Sequence, residues 1–298
     1  MSMDINEALR IGGFVLAAYA PSAAPITYPL PLGYQLVQAI YGNDLATDIG
    51  GPKSTVPFGF IARSPAAPIE FVVSIRGTEG IWEWVQDARF LRIPCPFATG
   101  AGWTEDGFTD VYMSMSVGTA PGPRVVDAIR TLITANPGST LTVTGHSLGA
   151  ALATLLALDV VENNAFATPS VITFASPFVG DSQFARTYEA EVPNSWRIAN
   201  LVDLVPKLPP PNWGFDHVNQ LFPVNSFGLA KLFPACTHAM ATYLFLLNRV
   251  TPPSGSGSEA AWGRHRSRHR RRSGRSRFQP LCGMGRCIPR PTAKATKQ

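Results

Sequence analysis

The apolar positions between residues 34 and 248 come in two alternating kinds. Short unbroken runs rich in β-branched and aromatic side chains occupy residues 59–62, 69–75, 140–144, 171–175 and 196–200. They have the length of strands and lack the inside–outside alternation of a half-exposed sheet. Between them apolar residues recur at helical spacing over 124–136, closed by Asn136, Pro137 and Gly138, and over 148–163, 182–191 and 239–249. This alternation predicts an α/β architecture, a mostly parallel central sheet with helices on both faces. Upstream, residues 11–43 carry no charge. Pro21, Pro25, Pro29 and Pro31 interrupt any membrane span, which needs about 20 apolar residues, and Asp4 and Glu7 stand where a secretion leader carries basic ones. Residues 5–20 therefore predict an amphipathic first helix, with a cleaved leader ending near Ala24 as the alternative. No transmembrane segment is expected.

The pattern stops at residue 250. A Pro/Ser/Gly stretch leads into a basic run at residues 264–277 with almost no aliphatic side chains. Charge follows the same boundary: residues 1–250 carry 13 Lys or Arg against 19 Asp or Glu, a net of −6, and residues 251–298 carry 12 against 1, a net of +11. The formal +5 of the whole chain thus belongs to its tail. Two units follow, a folded domain at 1–250 and a basic low-complexity tail at 251–298, disordered by composition or derived from cloning. The tail could hold polyanions nonspecifically, but it lacks interleaved aromatics and any recognition motif, so no nucleic-acid partner is expected. Four cysteines, Cys95, Cys236, Cys282 and Cys287, are too few for a disulfide framework and lack the doubled Cys-x-x-Cys spacing of a zinc site. No metal or cofactor is expected, and pairings such as Cys95–Cys236 or Cys282–Cys287 stay open, as does the oligomeric state.

The chemistry centres on Gly145-His146-Ser147-Leu148-Gly149, a G-x-S-x-G between a predicted strand and a predicted helix. A serine in that context is a nucleophile candidate, because the helix start directs N–H groups at developing negative charge. A serine hydroxyl needs a base, and the base needs an orienting carboxylate. His238, directly before the last helical run, fits the base; His217, in a Pro/Asn-rich loop, is the alternative. Asp203, just past the run at 196–200, fits the acid better than Asp159, Asp181 or Asp216. The backbone N–H of Leu148 and the N–H and hydroxyl of Thr78, at the end of the run 69–75, form the candidate oxyanion hole.

Taken with Ser74-Ile75-Arg76-Gly77-Thr78, Gly107-Phe108, residues 144–153, residues 174–180 and residues 200–209, these motifs resemble the class 3, or fungal-type, triacylglycerol lipases of the α/β-hydrolase fold. The resemblance covers roughly residues 4–248. It implies a metal-free serine esterase acting on acylglycerols at a lipid–water interface, with Thr78 as oxyanion donor, Asp87 as buttress of its hydroxyl, and Asp203 and His238 as acid and base. It also implies a short helical lid at residues 79–90, in which Ile81, Trp82, Trp84, Val85 and Phe90 are exposed apolar residues. Feruloyl or short-chain esterase and phospholipase A1 activities are alternatives on the same fold. Secretion is expected from the resemblance. The chain departs from the family at Glu105, where members often carry His, and in having only two cysteines in its core.

Overall fold

The computed structural model describes residues 2–22, 25–43, 55–78, 90–218, 220–250 and 287. The first helix, α1 (Ile5–Ala18), is capped by the Asp4 carboxylate, which accepts from the N–H groups of Asn6 and Glu7. It stops short of the predicted residue 20 because Pro21 disfavours helical backbone in the residue before it. Ile11, Phe14, Val15 and Ala18 fall on one face and are fully buried. Removing this segment as a leader would strip a core helix from the sheet.

Eight strands form the main sheet in the order β10-β9-β8-β7-β3-β2-β1-β6. Five are parallel: β3 (Glu70–Ile75), β7 (Thr140–His146), β8 (Ser170–Phe174), β9 (Ser195–Asn200) and β10 (Gln220–Val224). β1 (Gln35–Asn43), β2 (Thr55–Arg63) and β6 (Ser116–Val117) continue the sheet antiparallel. A small hairpin of β4 (Arg92–Pro94) and β5 (Trp103–Glu105) lies apart. Besides the two- and three-residue strands β4, β5 and β6, two longer strands escaped the pattern. β1 interleaves Gln35 and Gln38 with apolar residues and is only half-buried, and β10 is an exposed edge strand whose Pro223 costs nothing on an unpaired side.

Alternate residues of the strands divide the core into two layers. Phe71, Val73 and Ile75 of β3 pack with α2 (Asp106–Ser114), α3 (Val125–Ala135), α4 (Leu148–Glu162) and α5 (Ser182–Glu191). Val72 faces the other way, into a layer built by α1 and α7 (Met240–Val250), the last helix after the short α6 (Pro234–Thr237). α4 is buried from Leu148 to Val160, which explains why it is apolar all round. Its Asp159 is tolerated there because Tyr112, Arg124 and Asn163 all donate to its carboxylate. Among the described residues no helix is long and apolar enough to cross a membrane.

Of residues 251–298 only Cys287 is described. It is buried and disulfide-bonded to Cys236, and its carbonyl accepts from Lys231 N–H at 3.1 Å. Neither Cys95–Cys236 nor Cys282–Cys287 is formed, and Cys95 is a buried free thiol. The pairing of residues 51 apart joins the chain just before α7 to the tail, a contact that composition alone gives no means of reading.

Candidate active site

The site is assembled at the C-terminal ends of the parallel strands. β7 ends at His146 and α4 begins at Leu148, so one residue must reverse the chain. Ser147 does so with φ 61° and ψ −129°, outside the usual range of a side-chain-bearing residue. The turn is tight enough that a Cβ on Gly149 would lie 2.3 Å from the Ile75 carbonyl oxygen. A Cβ on Gly77 would lie 2.9 Å from the Ser147 Cβ, so the loop leaving β3 passes directly against the serine. Thr78, next in that loop, is buried, and Leu148 opens α4 beside Ser147. Ser147 is 1% exposed, and its hydroxyl has no hydrogen-bond partner among the described residues.

Asp203 follows β9 and is fully buried. One carboxylate oxygen accepts from His238 Nδ1 at 2.8 Å and from the Tyr243 hydroxyl at 2.7 Å; the other accepts from Val205 N–H at 3.1 Å. Burial and the Asp203 carboxylate push the Tyr243 phenol well above its ordinary range, so it remains a donor. His238 ends α6 and is 6% exposed.

His217 lies elsewhere. Its ring stacks on Phe178 at 3.5 Å and its Nε2 faces the Pro206 carbonyl at 2.7 Å. Burial, with Arg197 nearby, pushes it down to about 3. It makes no hydrogen bond to Asp203.

The sequence motifs assign no role to His146, Tyr19, Asn200 or Tyr243. The structure ties all four into the site. His146 Nε2 is 2.8 Å from the His238 carbonyl, which can only accept, so Nε2 carries the proton. His146 Nδ1 must then accept from the Tyr19 hydroxyl at 2.7 Å, and Tyr19 in turn accepts from Gly77 N–H at 2.8 Å. Burial and the adjacent His238 push His146 well below its ordinary range, which keeps it in this neutral form. One chain of bonds thus joins the β3 loop, the serine turn and the His238 loop. Asn200 braces the same region, donating to Ser226 Oγ and the Thr237 carbonyl, both at 2.8 Å. A histidine inside the serine motif was the visible signal; Tyr19 and Asn200 had none.

Glu105 caps α2, accepting from Phe108 N–H at 2.7 Å, and burial pushes its carboxyl up to about 7. Asp87 and the lid residues Ile81, Trp82, Trp84 and Val85 lie outside the described residues. Phe90, expected to be exposed with them, is buried against Phe178, Phe215 and Leu208, because three apolar side chains at the strand ends offer it a complete pocket.

Residues 72–213 match the family described as lipase (class 3). Over that segment the chain is similar to the class 3 lipase family. Phospholipase A1-II 3 of Oryza sativa subsp. indica is 36% identical over 164 residues, covering 47% of this chain and 39% of that one. Secreted mono- and diacylglycerol lipase A of Penicillium camembertii is 30% identical over 185 residues, covering 62% and 57%. The chain therefore spans between about two-fifths and three-fifths of the length of these relatives. Among solved structures, Rhizomucor miehei triacylglyceride lipase superposes with a TM-score of 0.59 at 24% identity, covering 75% of this chain and 81% of that one. This likeness shows that the chain has the α/β-hydrolase fold.

Proposed function

We propose that the chain is a serine carboxylic ester hydrolase acting on acylglycerols at a lipid–water interface, with Ser147 as nucleophile, His238 as base and Asp203 as acid. The observation that carries this reading is the strained turn at Ser147, whose neighbour His146 is tied by hydrogen bonds to Tyr19 and to the backbone of His238, the residue that pairs with the buried Asp203. With Nδ1 donating to Asp203, the His238 tautomer leaves the Nε2 lone pair for the serine proton. Ser147 Oγ attacks the ester carbonyl, and its proton passes to His238. The carbonyl oxygen becomes an oxyanion, to which the N–H groups of Leu148 and Thr78 donate in this reading. Collapse breaks the bond to the alkoxy oxygen, which leaves with the proton from His238 and produces an acyl-enzyme on Ser147. Water, deprotonated by the same histidine, hydrolyses it to the fatty acid.

Secretion fits the same reading. Penicillium camembertii and Fusarium solani relatives are named secreted lipases, and a Cys236–Cys287 disulfide persists in an oxidising compartment.

Ser147→Ala should lower the turnover of dioctanoylglycerol by about 10⁴-fold or more, with an unchanged circular dichroism spectrum. Wild-type-like turnover by the pure folded variant would remove the reading. His238→Ala should match that loss, whereas His217→Ala should retain measurable turnover; the opposite ranking would transfer the base to His217.

A further inference from the structure

A recess of about 400 Å³ lies where the β4–β5 hairpin, the start of α5 and the short turn at Pro211–Trp213 meet, lined by Phe90, Leu91, Arg92, Trp103, Asp181 and Trp213. Its size falls within the roughly 300–1,000 Å³ usual for small-molecule sites. No candidate triad or oxyanion residue lines it. Its two tryptophans, Trp103 and Trp213, are 47% and 49% exposed, although indoles are ordinarily well covered. Apolar surface left open in a recess marks a place where something docks.

The walls are fixed by hydrogen bonds. Asp181 N–H donates to the Trp103 carbonyl at 2.9 Å, and Trp103 N–H donates back to one Asp181 carboxylate oxygen at 3.2 Å. That same oxygen caps α5, accepting from Phe184 N–H at 2.9 Å. On the other wall, Arg92 Nη1 donates to the Gly214 carbonyl at 2.9 Å, with the guanidinium carbon 5.6 Å from the Phe215 ring centre. Gly214 permits this approach: it has φ 83°, and a Cβ there would lie 2.8 Å from Arg92 Nη1. Trp213 meets Phe90 edge to face, their ring centres 5.7 Å apart. The second Asp181 oxygen and the remaining Arg92 N–H groups make no hydrogen bond among the described residues, and no ion pair joins the two side chains. The recess thus presents two indoles, one open donor group and one open acceptor, with no net charge.

We propose that this recess is a carbohydrate site, taking one pyranose unit of a neutral polysaccharide. A pyranose ring has a flat side of weakly positive C–H groups, which matches the negative face of an indole. Its rim carries hydroxyls that both donate and accept, so one can accept from Arg92 while another donates to the open Asp181 oxygen. Other ligand classes fit less well. An acyl chain would cover the indoles and strip water from both charged groups without replacing it, and a simple ion would answer one charge and leave the indoles exposed. Because the walls are already held, little ordering is needed when the sugar enters. The inference concerns binding alone and stands apart from the ester-hydrolase reading: no bond is made or broken, and the site would hold the chain on a polysaccharide surface.

The test titrates the whole chain with cellohexaose, xylohexaose, laminarihexaose and mannohexaose, followed by calorimetry and by quenching of tryptophan fluorescence. Wild type should bind at least one of them with a Kd of about 1 mM or tighter. Trp213→Leu and Asp181→Asn should each weaken that binding by about tenfold or more, with an unchanged circular dichroism spectrum. The second variant guards against a folding defect in the first, since its amide keeps an oxygen to cap α5 and replaces only the open acceptor by a donor. Failure of all four sugars to bind at about 10 mM overturns the site, as does an affinity left unmoved in either folded variant.

Discussion

Glu105 offers a stability effect whose sign and size can be worked out in advance. Its carboxyl is 3% exposed at the start of α2, and burial raises its pKa from an ordinary 4.5 to about 7, against the partial relief of N–H groups from Phe108 and Gly107. The folded chain therefore holds a proton that the unfolded chain releases near 4.5. Stability from this group is fully present below that value and is lost as the pH rises through about 7. For those two pKa values the loss between pH 5 and pH 8 is about 2.5 kcal/mol. Glu105→Gln keeps an oxygen to accept from Phe108 N–H and cannot ionise. Urea unfolding of both proteins at pH 5, 6, 7 and 8 isolates the effect, since other titrating groups cancel in the difference. The variant should gain on the wild type steadily across the series, by about 2.5 kcal/mol in total. A difference that stays flat with pH would refute the argument that burial governs this carboxyl.

Tyr19→Phe leaves Gly77 N–H and His146 Nδ1 without their shared partner, and should cost about 1–3 kcal/mol in urea unfolding together with a fall in kcat; unchanged kcat would detach the bond chain from the site. Tyr243→Phe removes one donor from Asp203 and should lower kcat about tenfold with little change in KM, read on dioctanoylglycerol. A tryptic digest without reductant should yield the peptide of residues 232–249 linked to that of residues 287–294, since Arg286 separates Cys287 from Cys282. Linkage to the Cys282 peptide instead would contradict the pairing.

The central strands were legible because their burial on both faces writes an unbroken apolar run, and α4 because a helix enclosed by others must be apolar throughout. β1 and β10 were not, since a half-buried strand and an edge strand need no such run. Ser147, Asp203 and His238 could be proposed from order and spacing alone, because each stands where a strand ends or a helix begins. Tyr19 and His146 are joined across 127 positions, and Cys236 and Cys287 across 51; contacts of that separation leave no periodic trace in one chain. The role of His146 was hidden for a related reason. Its direction depends on the Tyr19 hydroxyl and the His238 carbonyl, both supplied by remote elements.

That remote supply bears on any attempt to dissect the protein. The block that carries the family match, residues 72–213, contains the serine and the acid and excludes Tyr19, His238 and Tyr243. It also excludes α1 and α7, which together roof one side of the sheet. An excised fragment of those residues would keep the most recognisable sequence, lose His238, the proposed base, and present Val72, Ile172, Phe174 and Ile198 to water. A piece that keeps these contacts must therefore run at least from Asp4 to Val250, and one that keeps the Cys236–Cys287 disulfide must run further still; the ends least marked by motif are the ones it can least spare.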